Sequence, residues 1–162
     1  MLSKITILCA GAIAAAVPVA GAAQPTQIAP TAPAQGVIRI KSLYTIDETV
    51  ARIKADISAK GIKFFDEIDQ SQLGAGAHIA IRPSKLLLFG NPPLGVQFLS
   101  SNPYSGLDWP VRMLVLQEAD GSTSVAWTDF GYIANRYSIT DREAQFKMAS
   151  EVAASIASSA AK

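Results

Sequence analysis

VRMLVLQEADGSTSVAWT, residues 111–128, is the stretch that decides the fold. Val111 to Glu118 and Ser122 to Thr128 read as two strands, and Ala119-Asp120-Gly121 stands between them. The Asp-Gly pair supplies the positive φ that a tight hairpin turn requires, so the stretch predicts an antiparallel pair.

Working outward from the hairpin, Lys85 to Phe89 contains the run Leu86-Leu87-Leu88-Phe89, with Pro83 behind and Gly90-Asn91-Pro92 ahead. A short continuous apolar run is expected of a central strand covered on both faces. The second cover has two candidate sources. One is a dimer partner; the other is Leu94 to Trp109, a Pro- and Gly-punctuated segment carrying Val96, Phe98, Leu99, Leu107 and Trp109. Further back, Ser71 to Ile81 has no clean period and is weakened by Gly74 and Gly76, so it reads as a loop or short helix. Ile62 to Ile68 predicts a strand with the bulky pair Phe64-Phe65, ending among Asp66, Glu67 and Asp69.

Thr45 and Glu48 form a capping box, and Ile46, Val50, Ile53 and Ile57 recur at helical spacing until Gly61, which predicts a helix from Ile46 to about Lys60. Before it, Ile38 and Ile40 alternate with Arg39 and Lys41, the period of a strand with one wet face. Downstream of the hairpin the chain passes Phe130, Tyr132 and Tyr137. Thr140 with Glu143 then predicts a second capping box, leading a helix with Met148, Val152 and Ile156 on one stripe to about Ser158. The order strand, helix, four strands, helix predicts a two-layer α+β domain, with a mostly antiparallel sheet and the helices on one face.

The front of the chain has a different character. Met1 to Lys4 is a short positive region, Ile5 to Val17 is uncharged and apolar, and Ala20-Gly21-Ala22 offers small residues for cleavage, so residues 1–23 are expected to be a signal peptide. An uncleaved anchor is the alternative, but the segment is mostly Ala and Gly and is broken by Pro18. Lipidation is disfavoured because Cys9 precedes most of the apolar region. Residues 24–35, QPTQIAPTAPAQ, carry three prolines and no charge and predict an extended spacer, leaving residues 36–162 as one domain. A periplasmic or secreted location follows. No stable membrane insertion is expected once the signal is removed.

Loss of the signal removes Cys9, the chain's one cysteine, so the mature domain has no disulfide, Cys-ligated metal or thiol nucleophile. Lys4 leaves too, and thirteen basic residues then face thirteen acidic ones. That balance argues against a nucleic-acid partner, which calls for a basic face.

The segment RPSKLLLFGNPPLG, Arg82 to Gly95, closely resembles the central signature of the bacterial family catalogued as domain of unknown function (DUF) 302. Tyr44 to Phe65, with the exit Lys60-Gly61-Ile62, is similar to the family's helix and second strand. Trp109-Pro110-Val111 and Ala119-Asp120-Gly121 also fall where the family has similar residues, so the resemblance covers about residues 43–134. Several separated blocks in the right order are more specific than one short pattern. The resemblance implies a fold similar to the TATA-box-binding-protein-like class, which hosts unrelated functions and transfers none.

Four residues stand out as candidate ligand contacts: Arg82, Phe89, Asn91 and Trp109. A guanidinium at the mouth of the central strand suits a carboxylate or phosphate, or equally a salt bridge to a neighbouring acid. Asn91 sits in the rigid turn from Gly90 to Gly95, where side chain and backbone amides can meet a ligand or simply satisfy the turn. His78 is the single histidine, without a partner for a triad or metal cluster, so no metal and no cofactor are expected. Met113, Met148, Trp109 and Trp127 read as core. The leading functional reading is a non-catalytic module holding a small apolar or anionic ligand between the sheet and Leu94 to Trp109. The alternative is a homodimeric interaction protein with no small ligand. An enzyme using Arg82 and a carboxylate such as Asp66 or Asp69 is third, because no nucleophile and base arrangement is present.

Overall fold

The computed structural model describes residues 35–161. The expected signal, 1–23, and the expected spacer as far as residue 34 lie outside the described residues. From Val37 the chain forms β1 (Val37–Lys41), α1 (Ile46–Ala59), β2 (Lys63–Asp69), α2 (Gln70–Gly76), β3 (Ser84–Gly90) and α3 (Pro92–Ser101). A 3-10 helix (Pro103–Asp108), β4 (Val111–Gln117), β5 (Thr123–Thr128), α4 (Phe130–Arg136) and α5 (Glu143–Ser158) complete it. The strand, helix, four-strand, helix frame stands, with short helices inserted between its parts.

The five strands form one antiparallel sheet in the order β1-β5-β4-β3-β2. The hairpin turns as its Asp-Gly pair predicts: Gly121 has φ 82°, and Glu118 N–H donates to Ser122 O at 2.8 Å. α1 begins where Thr45 accepts the Glu48 amide and buries Thr49, Val50, Ile53 and Ile57. Val50, Ile53 and Ile57 meet Leu87, Phe89, Met113, Val115, Val125 and Trp127 of the sheet and Phe146, Ala149, Ala153 and Ile156 of α5 in one core. Burial of this apolar surface is the main force holding the two layers together.

Three readings of the sequence are corrected. Thr140 does not cap α5, because the helix begins at Glu143 with Arg142 at its N-cap, two positions too late for a Thr-x-x-Glu box. Met148 is 54 % exposed. A repeat of exactly four residues drifts around a helix, so the stripe that is buried at Ile156 has turned outward by Met148, and Phe146 and Ala149 face the core instead. The segment Leu94 to Trp109 does not cover the second face of β3. It becomes α3 and the 3-10 helix and joins the layer of the other helices, where Phe98 stacks on Phe146 at 4.2 Å between centroids. α2, formed within the ambiguous stretch, buries no side chain.

Candidate functional site

β3 alternates cleanly. Leu87 and Phe89 point into the core, while Leu86 and Leu88 point away and are only half-buried. At its carboxyl end Gly90 passes to Asn91, which takes the N-cap position of α3 with extended φ and ψ and no side-chain capping bond. Pro92 and Pro93 start the helix, where a missing N–H costs nothing. The Leu94 and Gly95 amides both donate to the Asn91 carbonyl, at 3.1 and 2.9 Å. The result is a tight corner that carries α3 back over the end of the sheet.

Between that corner, the sheet end and α5 lies a cavity of about 40 Å³. Phe89, Asn91, Leu94, Phe98, Trp109 and Val152 line it, and the Asn91 amide and the Trp109 indole N–H are the polar side-chain groups among these six. The walls carry no charge, so the space suits hydrocarbon better than an ion.

Trp109 closes the cavity. A Cβ placed on Gly95 would lie 1.8 Å from the indole Nε1, and one on Gly90 would lie 3.4 Å from the same ring, so glycine at 95 is what lets the indole rest against the α3 backbone. Phe65 stands against the indole edge-on, with centroids 5.7 Å apart at 74°. It is the residue at which the β2–β3 register shifts, and the bulge is what aims it there. Trp109 follows Asp108, whose carboxylate is almost fully buried and accepts from Tyr137 Oη at 2.7 Å, Arg136 Nη1 at 3.2 Å and Arg112. That network ties the 3-10 helix to β4 and α4 and so sets where the indole can stand. The Asp108 hydrogen bond, followed by desolvation, raises the Tyr137 phenol above its ordinary value.

Of the four predicted contacts, Phe89, Asn91 and Trp109 come together around this cavity. Arg82 does not join them. It lies before the start of β3, nine residues and roughly 30 Å of extended chain from Asn91, and its Nε donates to the Gln117 carbonyl at 3.0 Å. Gly95, Phe98, Phe65 and the α5 face are site residues that sequence reasoning did not single out. Gly95 stood inside the quoted signature, but nothing local could reveal that an indole fourteen residues later would rest on it.

The acidic cluster is dispersed, as adjacent strand residues must be. Glu67 faces α1 and pairs with Lys54 at 2.5 Å and Lys85 at 3.3 Å. Its carboxyl is held below the ordinary value, first by the Lys54 hydrogen bond, against an opposing desolvation. Asp69 caps α2, accepting from Ser71 Oγ and the Gln72 amide. His78 is exposed with φ 58° and ends α2. Among the described residues no group of three or more His, Cys, Asp or Glu is placed to hold a metal.

Comparison with known proteins matches the sheet and its helices. The crystal structure of an uncharacterized conserved protein DUF302 from Bacillus stearothermophilus superposes with a TM-score of 0.72 at 15 % identity, covering 78 % of this chain and 99 % of that one. Two curated relatives are named fluoride-specific ion channel FluC 1, from Brucella suis and Brucella abortus. Both are 27 % identical over 104 residues, which is 64 % of this chain and 41 % and 38 % of theirs. The chain thus spans about two fifths of the length of the curated relatives it matches. The family model described as Domain of unknown function DUF302 matches residues 38–161, from β1 to the end of α5, and the chain belongs to that family.

Proposed function

We propose that this domain is an exported, non-catalytic binding module for a small, largely apolar ligand, taken up at the carboxyl end of β3 between the sheet and α3. The observation that carries the reading is the uncharged cavity behind Trp109, bordered by three residues whose type and position already suggested a ligand. Ligand pockets for organic molecules run to about 300–1,000 Å³, so a cavity of about 40 Å³ is a closed state. Opening it means moving the indole off Gly95, a side-chain displacement at a half-buried wall. Asn91, exposed at the rim and free of any capping duty, supplies an amide for a polar end of the ligand.

Fluoride conduction does not carry over with the channel relatives. The match spans a minor part of them, and among the described residues no helix is long and apolar enough to cross a membrane. The enzymatic reading through Arg82 lacks support too, since that guanidinium is bonded to a backbone carbonyl and Asp69 is spent on a helix cap.

Fluorescence titration with 1-anilinonaphthalene-8-sulfonate tests the site. Trp109→Ala, which removes the closing side chain, is expected to bind the dye at least tenfold more tightly than wild type, and Asn91→Ala about threefold more weakly. Equal affinity in wild type and Trp109→Ala would place the ligand elsewhere.

A further inference from the structure

Lys63, Asp108, Arg112, Asp129 and Glu151 are the charged residues that adjoin the cavity lining in sequence. All but one are engaged. Asp108 and Arg112 bind each other, Glu151 pairs with Lys147 at 3.8 Å, and Asp129 accepts the Gly131 amide at 2.8 Å. Lys63 is exposed and, among the described residues, has neither an ion pair nor a hydrogen bond for its ammonium, which stands 5.1 Å from the centroid of the Phe65 ring. Lys63 is also the β2–β3 register partner of Gly90, and directly opposed residues send their side chains to one face. A Cβ on Gly90 would point at the Trp109 indole, 3.4 Å away, so Lys63 leaves its strand on the side where the indole closes the cavity. Phe65 links the two, with the ammonium over its ring and the indole set against it edge-on. The start of α3 offers an anion no amides there, since Pro92 and Pro93 carry no N–H and the Leu94 and Gly95 amides are bonded to the Asn91 carbonyl.

We propose that the ligand of this cavity is a monocarboxylic acid with an apolar body, its hydrocarbon held behind Trp109 and its carboxylate between the Lys63 ammonium and the Asn91 amide. The assignment rests on the reading of the cavity as the ligand site. One ammonium and one neutral amide balance a single negative charge, which a carboxylate carries. A phosphate monoester, at about −1.5 to −2 near pH 7, would keep charge unmatched. The flexible lysine stem lets the ammonium pass from the Phe65 ring to the rim, and the charge-assisted hydrogen bond gained there is stronger than the contact with an exposed ring that it replaces.

Isothermal titration calorimetry with octanoate and octan-1-ol, which share a chain and differ in charge, separates the head group from the cavity. Wild type is expected to bind octanoate about tenfold more tightly than octan-1-ol. Lys63→Gln is expected to erase that preference and leave the octan-1-ol affinity unchanged, while Lys63→Arg keeps it. The same preference, with both ligands bound more tightly, is expected in Trp109→Ala. Equal affinity for the two ligands in wild type and Trp109→Ala overturns the carboxylate assignment and leaves the cavity reading standing, and so does an octanoate preference that survives Lys63→Gln. Binding of neither ligand to either protein is instead the failure of the cavity reading, and the carboxylate assignment falls with it.

Discussion

Trp109 resting on Gly95 is a contact of atoms with no slack, and its consequences belong to single residues. Gly95→Ala puts a methyl group where the indole lies, and expelling the ring is expected to cost about 1–3 kcal/mol of stability, read as a lower thermal midpoint with redder tryptophan emission. Unchanged emission would mean that the indole has room to adjust. Three helix ends are built alike: α1 at Gly61, α2 at His78 and α4 at Ser138 each turn through a left-handed residue. The following amide in each case reaches back five residues, as in Ile62 to Ile57, Ile79 to Gly74 and Ile139 to Ala134. Glycine fits that conformation and serine does not. Ser138→Gly is therefore expected to stabilise the protein by about 0.5–1 kcal/mol, measured by denaturant unfolding, and a loss of stability would contradict the strain assigned to Ser138. The Gly61 helix stop was legible in the sequence because glycine advertises it. The other two were not, because the chain uses residues that give no such signal.

At the scale of elements, Glu67 joins β2 to α1 through Lys54 and to β3 through Lys85. Its folded carboxyl titrates below the ordinary 4.5, so its contribution is complete above that pH and is lost as pH falls through the lower folded value. The melting temperature is expected to drop on acidification below about pH 4.5, with a shallower acid slope in Glu67→Gln, and identical slopes would remove Glu67 from the account. Asp108 performs the matching task for the 3-10 helix. Asp108→Asn is expected to destabilise by about 1–3 kcal/mol and, by removing the carboxylate that holds it up, to lower the Tyr137 pKa in a spectrophotometric titration. A Tyr137 titration unmoved by the substitution would mean that desolvation alone raises it. Element order was readable because period-two strands and capped amphipathic helices are local patterns. Grouping Arg82 with Asn91 in one site ran against the strand between them, since the two ends of an extended strand cannot share a pocket. The layer that Leu94 to Trp109 would join was not readable, because a segment of that composition packs equally well against either face of β3.

For the whole molecule, a single core holds α1, α3, α4 and α5 against one side of a fully antiparallel sheet and leaves the leucines of the other side without a layer. The alternation of Leu86 and Leu88 with Leu87 and Phe89 made the demand for two covers visible in the sequence. Which cover comes from this chain depended on contacts between residues far apart along it, such as Phe98 with Phe146. The candidate site shares that origin, since β3, α3, the segment before β4 and α5 must all arrive before the cavity exists. Native mass spectrometry of the full chain tests the central claim most directly, comparing wild type with Ala153→Val, whose added methyls fill the cavity from α5. The account predicts a reproducible bound mass on the wild-type chain that is absent from Ala153→Val. A bound mass that persists in Ala153→Val, or none on either wild type or Trp109→Ala, would contradict it.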